Sequence, residues 1–392
     1  MLTIELNYTY NNLLVGSDCM FENVKKFLDH GEKIGIPTCD ILVYKDGKKV
    51  FRESRGSCDE QGSPINEDLL FNIYSCSKFV TIVAGLTLLE KGKFSLDDEV
   101  AEYIPAFKDV KVYNNGILDK PKRQMTIKNL FTMTSGMTYN WGSEQIKQGV
   151  LDTEGKAPTV KMMDYLAKMP LAFSPDDEWN YSLSHDVLAG LIEIVSGKRF
   201  GEYVEERIFK PFDITDFTFN LPEQQLNRVC KQFDHDTNGF IPIDRTIQRY
   251  KFGTEYESGG AGGVCTVNAY MQFLEALRTG KILSEETMAL MIKDHLTENQ
   301  KKTYWGSKGY GYGLGIRVPD ATGKRTDIGW GGAAGAFMAI DLKNSISIYY
   351  AQHVLNSPNK DLRKDIIELV KLDLGCEAFV EDLNVGTGSF LA

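Results

Sequence analysis

Ser75 and Lys78 stand three residues apart in "FNIYSCSKFVTIVAG" (71–85), where an extended run gives way to a nearly all-apolar helix. Residues three apart on a helix differ by about 60° in direction. A hydroxyl and an amine so placed face one side and can share a hydrogen bond. Burial disfavours an ammonium ion, and a neutral amine can take a serine proton. The helix N-terminus adds backbone N–H groups and positive potential where an oxyanion would form. The spacing equally describes an N-cap serine followed by a surface lysine, and a second copy occurs in "SPNK" (357–360). Context separates the copies. Pro358 makes the second a turn before the last helix, whereas Phe79, Val80, Ile82, Val83, Leu86, Leu88 and Leu89 leave the first helix little polar face and predict an interior position.

The elements that must position this pair follow from the rest of the chain. "CDILVYKDGKKVFRES" (39–54) reads as two strands about Asp46-Gly47, a dipeptide suited to a tight hairpin. "LLFNIY" (69–74) leads into the apolar helix, which runs to about Gly92. From about Leu96 to Tyr250 the pieces are mainly helical, as in "TIKNLFTM" (126–133), "VKMMDYLAKM" (160–169) and "HDVLAGLIEIVSG" (185–197). After "ESGGAGGV" (257–264) comes the helix of "NAYMQFLEALRTG" (268–280). Strand-like "YGYGLGIRV" (310–318), "GAFMAIDL" (335–342) and "SISIYYAQH" (345–353) follow, the last two as a hairpin about Lys343-Asn344, and an amphipathic helix covers roughly 360–374. This order predicts an α+β protein: a discontinuous sheet domain from 1–95 plus 251–392, a mainly helical domain over 96–250, and an active site between them.

Composition narrows the partners. A net charge of −10 without a long Lys/Arg run argues against nucleic acid. No window approaches a membrane span, and "MLTIELNYTYNNLLVG" has none of the parts of a secretory signal, so a cytoplasmic setting and no membrane partner are expected. Seven cysteines without a C-x-x-C pair suit reduced thiols. Five scattered histidines lack metal-ligand spacing, and neither a metal nor a cofactor is expected. The oligomeric state is left open.

Two further segments give Ser75 and Lys78 a setting. "WNYSLSHDVLAGLIEIVSGK" (179–198) places Tyr181 just before a helix, and "GWGGAAGAFMAIDL" (329–342) places a Trp-Gly-Gly triplet just before a strand. With Ser75-x-x-Lys78, this order resembles the serine β-lactamase and penicillin-binding-protein superfamily, and more closely its class C β-lactamase-like esterases, the family VIII carboxylesterases. "TIKNLFTMTSGM" (126–137), "ESGGAGGVCTVNAYMQFLEAL" (257–277) and "YGYGLGIRV" extend the resemblance over about residues 25 to 355. It implies a β-lactamase/transpeptidase-like fold: an antiparallel sheet flanked by helices, with an inserted helical domain.

The resemblance further implies Ser75 as acylated nucleophile, Lys78 as its proton acceptor, and Tyr181 as a relay acting as a phenolate or through Lys78. The backbone N–H groups of Ser75 and Ala333 would hold the oxyanion. Trp330, Gly331 and Gly332 would bound the substrate, a small ester or amide, with Arg317 or Arg325 as alternative sources of a charge that this triplet lacks. β-Lactamase or D-amino-acid peptidase activity, or a catalytically silent module, are the other readings of the same fold. Leu183 stands where the family often has Asn.

Other residues read more plainly. Ser184 is expected to cap the helix after Tyr181, and His185 to be structural. Cys76 should be a buried neighbour of the nucleophile. Glycines 259, 260, 262 and 263 should let a loop pass close under the site. "GWGGAA" (329–334) nominally fits a dinucleotide fingerprint but precedes a strand, where that fold needs a helix. The absence of G-x-S-x-G removes the α/β-hydrolase elbow.

Overall fold

A computed structural model describes residues 21–114 and 116–380. A seven-stranded antiparallel sheet forms its centre, in the spatial order 310–312, 317–319, 327–331, 337–341, 346–352, 38–45, 48–56. Strands from both chain ends meet where Thr38–Lys45 pairs with Ile346–Gln352. The hairpin at Asp46-Gly47 forms because both residues take positive φ, 52° and 77°, the geometry that matches strand twist.

Alternation along the central strands sends side chains to two cores. Ile41, Val43, Ile348 and Tyr350 meet Val24, Phe27 and Leu28 of the helix Glu22–Lys33 and Ile366, Ile367 and Val370 of the helix Ile366–Asp373. Leu42, Tyr349 and Met338 face the opposite way, into the larger core that holds the helices Ser77–Glu90, Ser184–Ser196 and Val267–Arg278. Residues Ser77 through Leu88 are buried without exception, as an apolar helix with no polar stripe requires. The helix stops at Glu90, and Gly92, with φ 62°, reverses the chain.

Two local readings are corrected and one is extended. "YGYGLGIRV" is a hairpin, Tyr310–Tyr312 against Arg317–Pro319, because the chain turns through Gly313 and Gly315, the latter at φ 86°. The Trp-Gly-Gly triplet closes the strand Asp327–Gly331 and turns at Gly332 into Phe337–Asp341. The last helix starts at Ile366 after a short turn, later than expected, because buried Ser357 and Asn359 bond each other and hold the preceding segment in a loop. Within 96–250 the hairpin Gln232–Asp236 with Gly239–Ile243 adds strands to the helical stretch. No helix among the described residues is long and apolar enough to cross a membrane.

Candidate active site

Ser75 lies in a single 3₁₀ turn, Tyr74–Cys76, that feeds the buried helix beginning at Ser77. Tyr74 takes φ 48°, a costly conformation for a non-glycine residue that turns the chain sharply just before the serine. Ser75 itself is only half-buried, while its neighbours Tyr74 and Cys76 are fully enclosed. Burial drives the Cys76 thiol up to about 12, so it stays protonated and is no rival nucleophile.

Lys78 is 1% exposed. Its Nζ lies 3.2 Å from Ser75 Oγ and donates to the Gly260 carbonyl at 2.6 Å. It also sits over two rings, 4.7 Å from the centroid of Tyr181 and 5.3 Å from that of Tyr139. Tyr181 thus meets Lys78 through its ring face, and its Oη accepts from the Trp330 indole N–H at 3.3 Å. Removal from water and the adjacent Tyr181 hold the Tyr139 phenol well above the ordinary tyrosine value.

The Gly-rich segment passes under this cluster at backbone contact. A Cβ on Gly259 would fall 2.4 Å from the His185 carbonyl, and one on Gly260 would fall 2.4 Å from Asp186 Oδ2. His185 is buried, contacts the Phe131 carbonyl at 3.3 Å, and has a pKa lowered to about 3 by burial and the Lys78 charge, so it is a neutral structural group. Ser184 does not cap its helix. Its buried hydroxyl bonds Ser135 and Ser182 at 2.7 and 2.8 Å, because the helix already starts at Ser184 and the cap position falls on Leu183.

Ser75 opens into a cavity of about 180 Å³ lined by Tyr139, Trp141, Tyr181, Tyr250, Ala261 and Ala333. Trp141 stacks on Tyr139 at 5.2 Å and tilts against Tyr250 at 5.0 Å. Trp141 and Tyr250 escaped sequence reasoning because they come from irregular segments with no periodic signal. A larger cleft of about 690 Å³ shares Tyr139 and Tyr181 with this chamber and carries one ionisable carboxylate, Glu178.

On the other wall, Gly332 packs against the Ile73 carbonyl, where a Cβ would fall 2.4 Å from the oxygen. Arg363 donates to the Gly332 carbonyl. In a trans peptide the C=O and the following N–H point in opposite directions, so this bond turns the Ala333 N–H away from Arg363. Arg317 and Arg325 bring no charge to the site. They are 7% and 3% exposed and are paired inside with Asp327 and Glu368, Arg317 from its strand and Arg325 from the segment just before the strand Asp327–Gly331. Trp330 is not among the chamber's lining residues and reaches the cluster through Tyr181. In the second Ser-x-x-Lys copy, Ser357 is buried against Gln352 and Asn359 while Lys360 is exposed.

A strained turn presenting a serine to a buried lysine, beside a Gly-rich loop and the end of an antiparallel strand, defines a β-lactamase-like serine site. Residues 23–371 match the beta-lactamase family, and the chain belongs to it. It is similar to Esterase EstB of Burkholderia gladioli, 27% identical over 78% of this chain and 83% of that protein. Among solved structures it resembles EstCE1, a hydrolase with promiscuous acyltransferase activity, with TM-score 0.75 and 23% identity over 90% of this chain and 99% of the other. The simvastatin synthase LovD of Aspergillus terreus also aligns, with TM-score 0.75 and 22% identity over 89% and 96%.

Proposed function

We propose that the protein is a serine hydrolase that cleaves small neutral carboxylic esters through a Ser75 acyl-enzyme. The observation that carries this reading is Ser75 Oγ, at the mouth of an aromatic chamber, 3.2 Å from the Nζ of a buried lysine. Lys78 takes the serine proton as Oγ attacks the carbonyl carbon, and the backbone N–H groups of Ser75 and Ala333 hold the oxyanion. The proton now on Lys78 passes to the leaving alcohol oxygen, either directly from the ammonium or through Tyr181, whose phenolate takes it from Lys78 and whose O–H then donates it. Water then resolves the acyl-enzyme.

The two cavities divide the substrate. The 180 Å³ aromatic chamber takes a short acyl group, and the 690 Å³ cleft beside Tyr181 takes the alcohol. Glu178 in that cleft disfavours an anionic leaving group, and the Trp330-Gly331-Gly332 triplet offers no cation for a β-lactam carboxylate. A cytoplasmic setting, with residues 96–250 as a helical unit over the sheet part, fits small metabolite esters better than peptidoglycan. Acyl transfer to a second alcohol is the alternative fate of the same acyl-enzyme, favoured by the aromatic walls and by relatives named for it.

The test is a fluorophosphonate probe with a paired activity screen. Wild type labels at Ser75 and turns over p-nitrophenyl acetate or butyrate with higher kcat/KM than nitrocefin. Ser75→Ala neither labels nor turns over, and Ser357→Ala keeps wild-type activity. Activity retained in Ser75→Ala, or a preference for nitrocefin, would overturn the reading.

A further inference from the structure

Asp186 is a carboxylate inside the protein that no step above uses. It sits two residues into the helix Ser184–Ser196 and has no exposed surface. Tyr256 and Ser258 both donate to Oδ1, at 2.9 and 2.6 Å, which fixes the plane of the carboxyl group. Oδ2, equally buried, makes no hydrogen bond of good geometry, and the backbone of Gly260 is the donor that acts on the carboxylate there. A buried, poorly satisfied carboxylate oxygen is costly unless a charge balances it.

The group that can supply a balancing charge, once it carries a proton, is the Lys78 amine on the far side of Gly260. The point where a Cβ would stand on Gly260 is 2.4 Å from Asp186 Oδ2 and 3.4 Å from Lys78 Nζ. Only hydrogen occupies that point in glycine, so the carboxylate and the amine face each other across a gap that any side chain would fill. Among the described residues Lys78 makes no ion pair within 4 Å, so Asp186 meets it through space. The other titratable groups around the amine carry no opposing charge at neutral pH. His185, on Asp186's own helix, is neutral with a pKa of about 3. Cys76, on the lysine's side, stays a thiol. Tyr139 and Tyr256 have phenols held well above their ordinary value, mainly by burial, and Tyr181 presents its ring face. Glu257 is engaged by Arg199 at 2.9 Å.

We infer that Asp186 is a positioning residue for the acylation step, the fixed counter-charge that stabilises Lys78 once it has taken the Ser75 proton. In that step the Ser75 O–H bond breaks, its electron pair forms the bond to the substrate carbonyl carbon, the C=O π pair moves onto oxygen as the oxyanion, and the proton moves to Lys78 Nζ. An ammonium then exists in a nearly dry cluster, and a carboxylate already oriented by Tyr256 and Ser258 stabilises it without reorganisation. Burial raises the Asp186 carboxyl pKa, while the Ser258 bond and the Lys78 charge pull it back toward the ionised form.

This inference rests on the proposed role of Ser75 and Lys78, and the experiment separates the two. Asp186→Asn keeps the shape and an acceptor for Tyr256 and Ser258 but removes the charge. The rate of fluorophosphonate labelling at Ser75, and kcat/KM for p-nitrophenyl acetate, are measured from pH 5 to 10. Without the anion beside the proton acceptor, the acid limb of both profiles moves to lower pH. The plateau kcat falls about tenfold or more, the size of effect one 1.4 kcal/mol stabilisation carries, and KM is kept. In a Lys78→Met background the added Asp186→Asn change costs little further.

Absence of labelling in the wild type would remove the underlying reading. A wild type that labels and an Asp186→Asn variant with an unmoved acid limb would overturn this inference alone. A purely structural role would lower the amount of active protein without shifting the limb. Should the single variant fail to fold, the Lys78→Met/Asp186→Asn double variant, with neither charge left, recovers a cooperative thermal transition. Equal loss of folding in both would overturn the pairing.

Discussion

If Ala333 N–H serves the oxyanion as proposed, Arg363 acts on the site without touching a substrate. Its bond to the Gly332 carbonyl orients one peptide plane, and the N–H of that plane belongs to Ala333, beside Ser75 in the chamber. Losing an oxyanion donor outright costs about 10²–10³ in kcat, so a donor that is merely less well aimed costs less. Arg363→Met is expected to lower kcat about tenfold with KM little changed, checked by steady-state kinetics on p-nitrophenyl acetate. In the proposed relay Lys78 and Tyr181 handle the proton, so Lys78→Met and Tyr181→Phe are each expected to cost about 10² or more in kcat. A near-normal Tyr181→Phe would remove the tyrosine from the relay.

At the scale of elements, irregular segments build the aromatic chamber proposed to take the acyl group. Trp141 comes from the loop before the helix Glu144–Asp152, and Tyr250 from the stretch between Ile243 and Val264. Trp141 is braced by Tyr139, Tyr250 and Phe252, with centroids 5.0 to 5.2 Å apart. Removing this ring while its neighbours hold their places enlarges the chamber rather than collapsing it. Trp141→Ala is therefore expected to move the preferred acyl chain from short to longer, reaching hexanoate or octanoate in a p-nitrophenyl ester series. An unchanged chain-length profile would show that the acyl group lies elsewhere. The truncation also forfeits buried area and costs about 3 kcal/mol of stability or less, given the half-buried start.

For the whole molecule, a buried histidine outside the proposed proton relay ties three parts of the fold together. His353 Nε2 accepts from Asn72 N at 3.2 Å, and Nδ1 bonds the Cys230 carbonyl at 3.0 Å. The neutral ring suits both contacts, whereas a protonated ring would set an N–H against the Asn72 N–H. Burial accordingly lowers its pKa to about 4. A histidine whose folded pKa lies below its unfolded value near 6.5 binds its proton more readily when unfolded. Its contribution is therefore complete above about pH 6.5 and is lost as pH falls from there toward 4. His185, at about 3, adds in the same direction. The Tm is expected to fall steeply between pH 6.5 and 4, and His353→Asn to be less stable at pH 7 but flatter across that window. A variant with the wild-type pH slope would assign the acid sensitivity elsewhere.

Much of the frame was legible in the linear chain. The Asp46-Gly47 hairpin, the apolar helix after Ser75 and the alternating strands near the C-terminus are properties of contiguous residues, where turn chemistry and side-chain period act directly. The order of Ser75, Lys78, Tyr181 and the Gly-rich segments pointed to the fold through resemblance. Local pattern misled at Ser184, whose hydroxyl a neighbouring serine captures, and at "YGYGLGIRV", where two glycines break an apparent strand. What the chain could not disclose are encounters between distant segments. Asp186 faces Lys78 only because Gly260 of a third segment leaves the space between them empty, and Arg363 reaches Gly332 only because the last turn folds back over the sheet. The interior pairing of Arg317 and Arg325 is of the same kind. Such contacts follow from how whole surfaces pack, and packing is decided by tertiary structure rather than by the period of any one stretch.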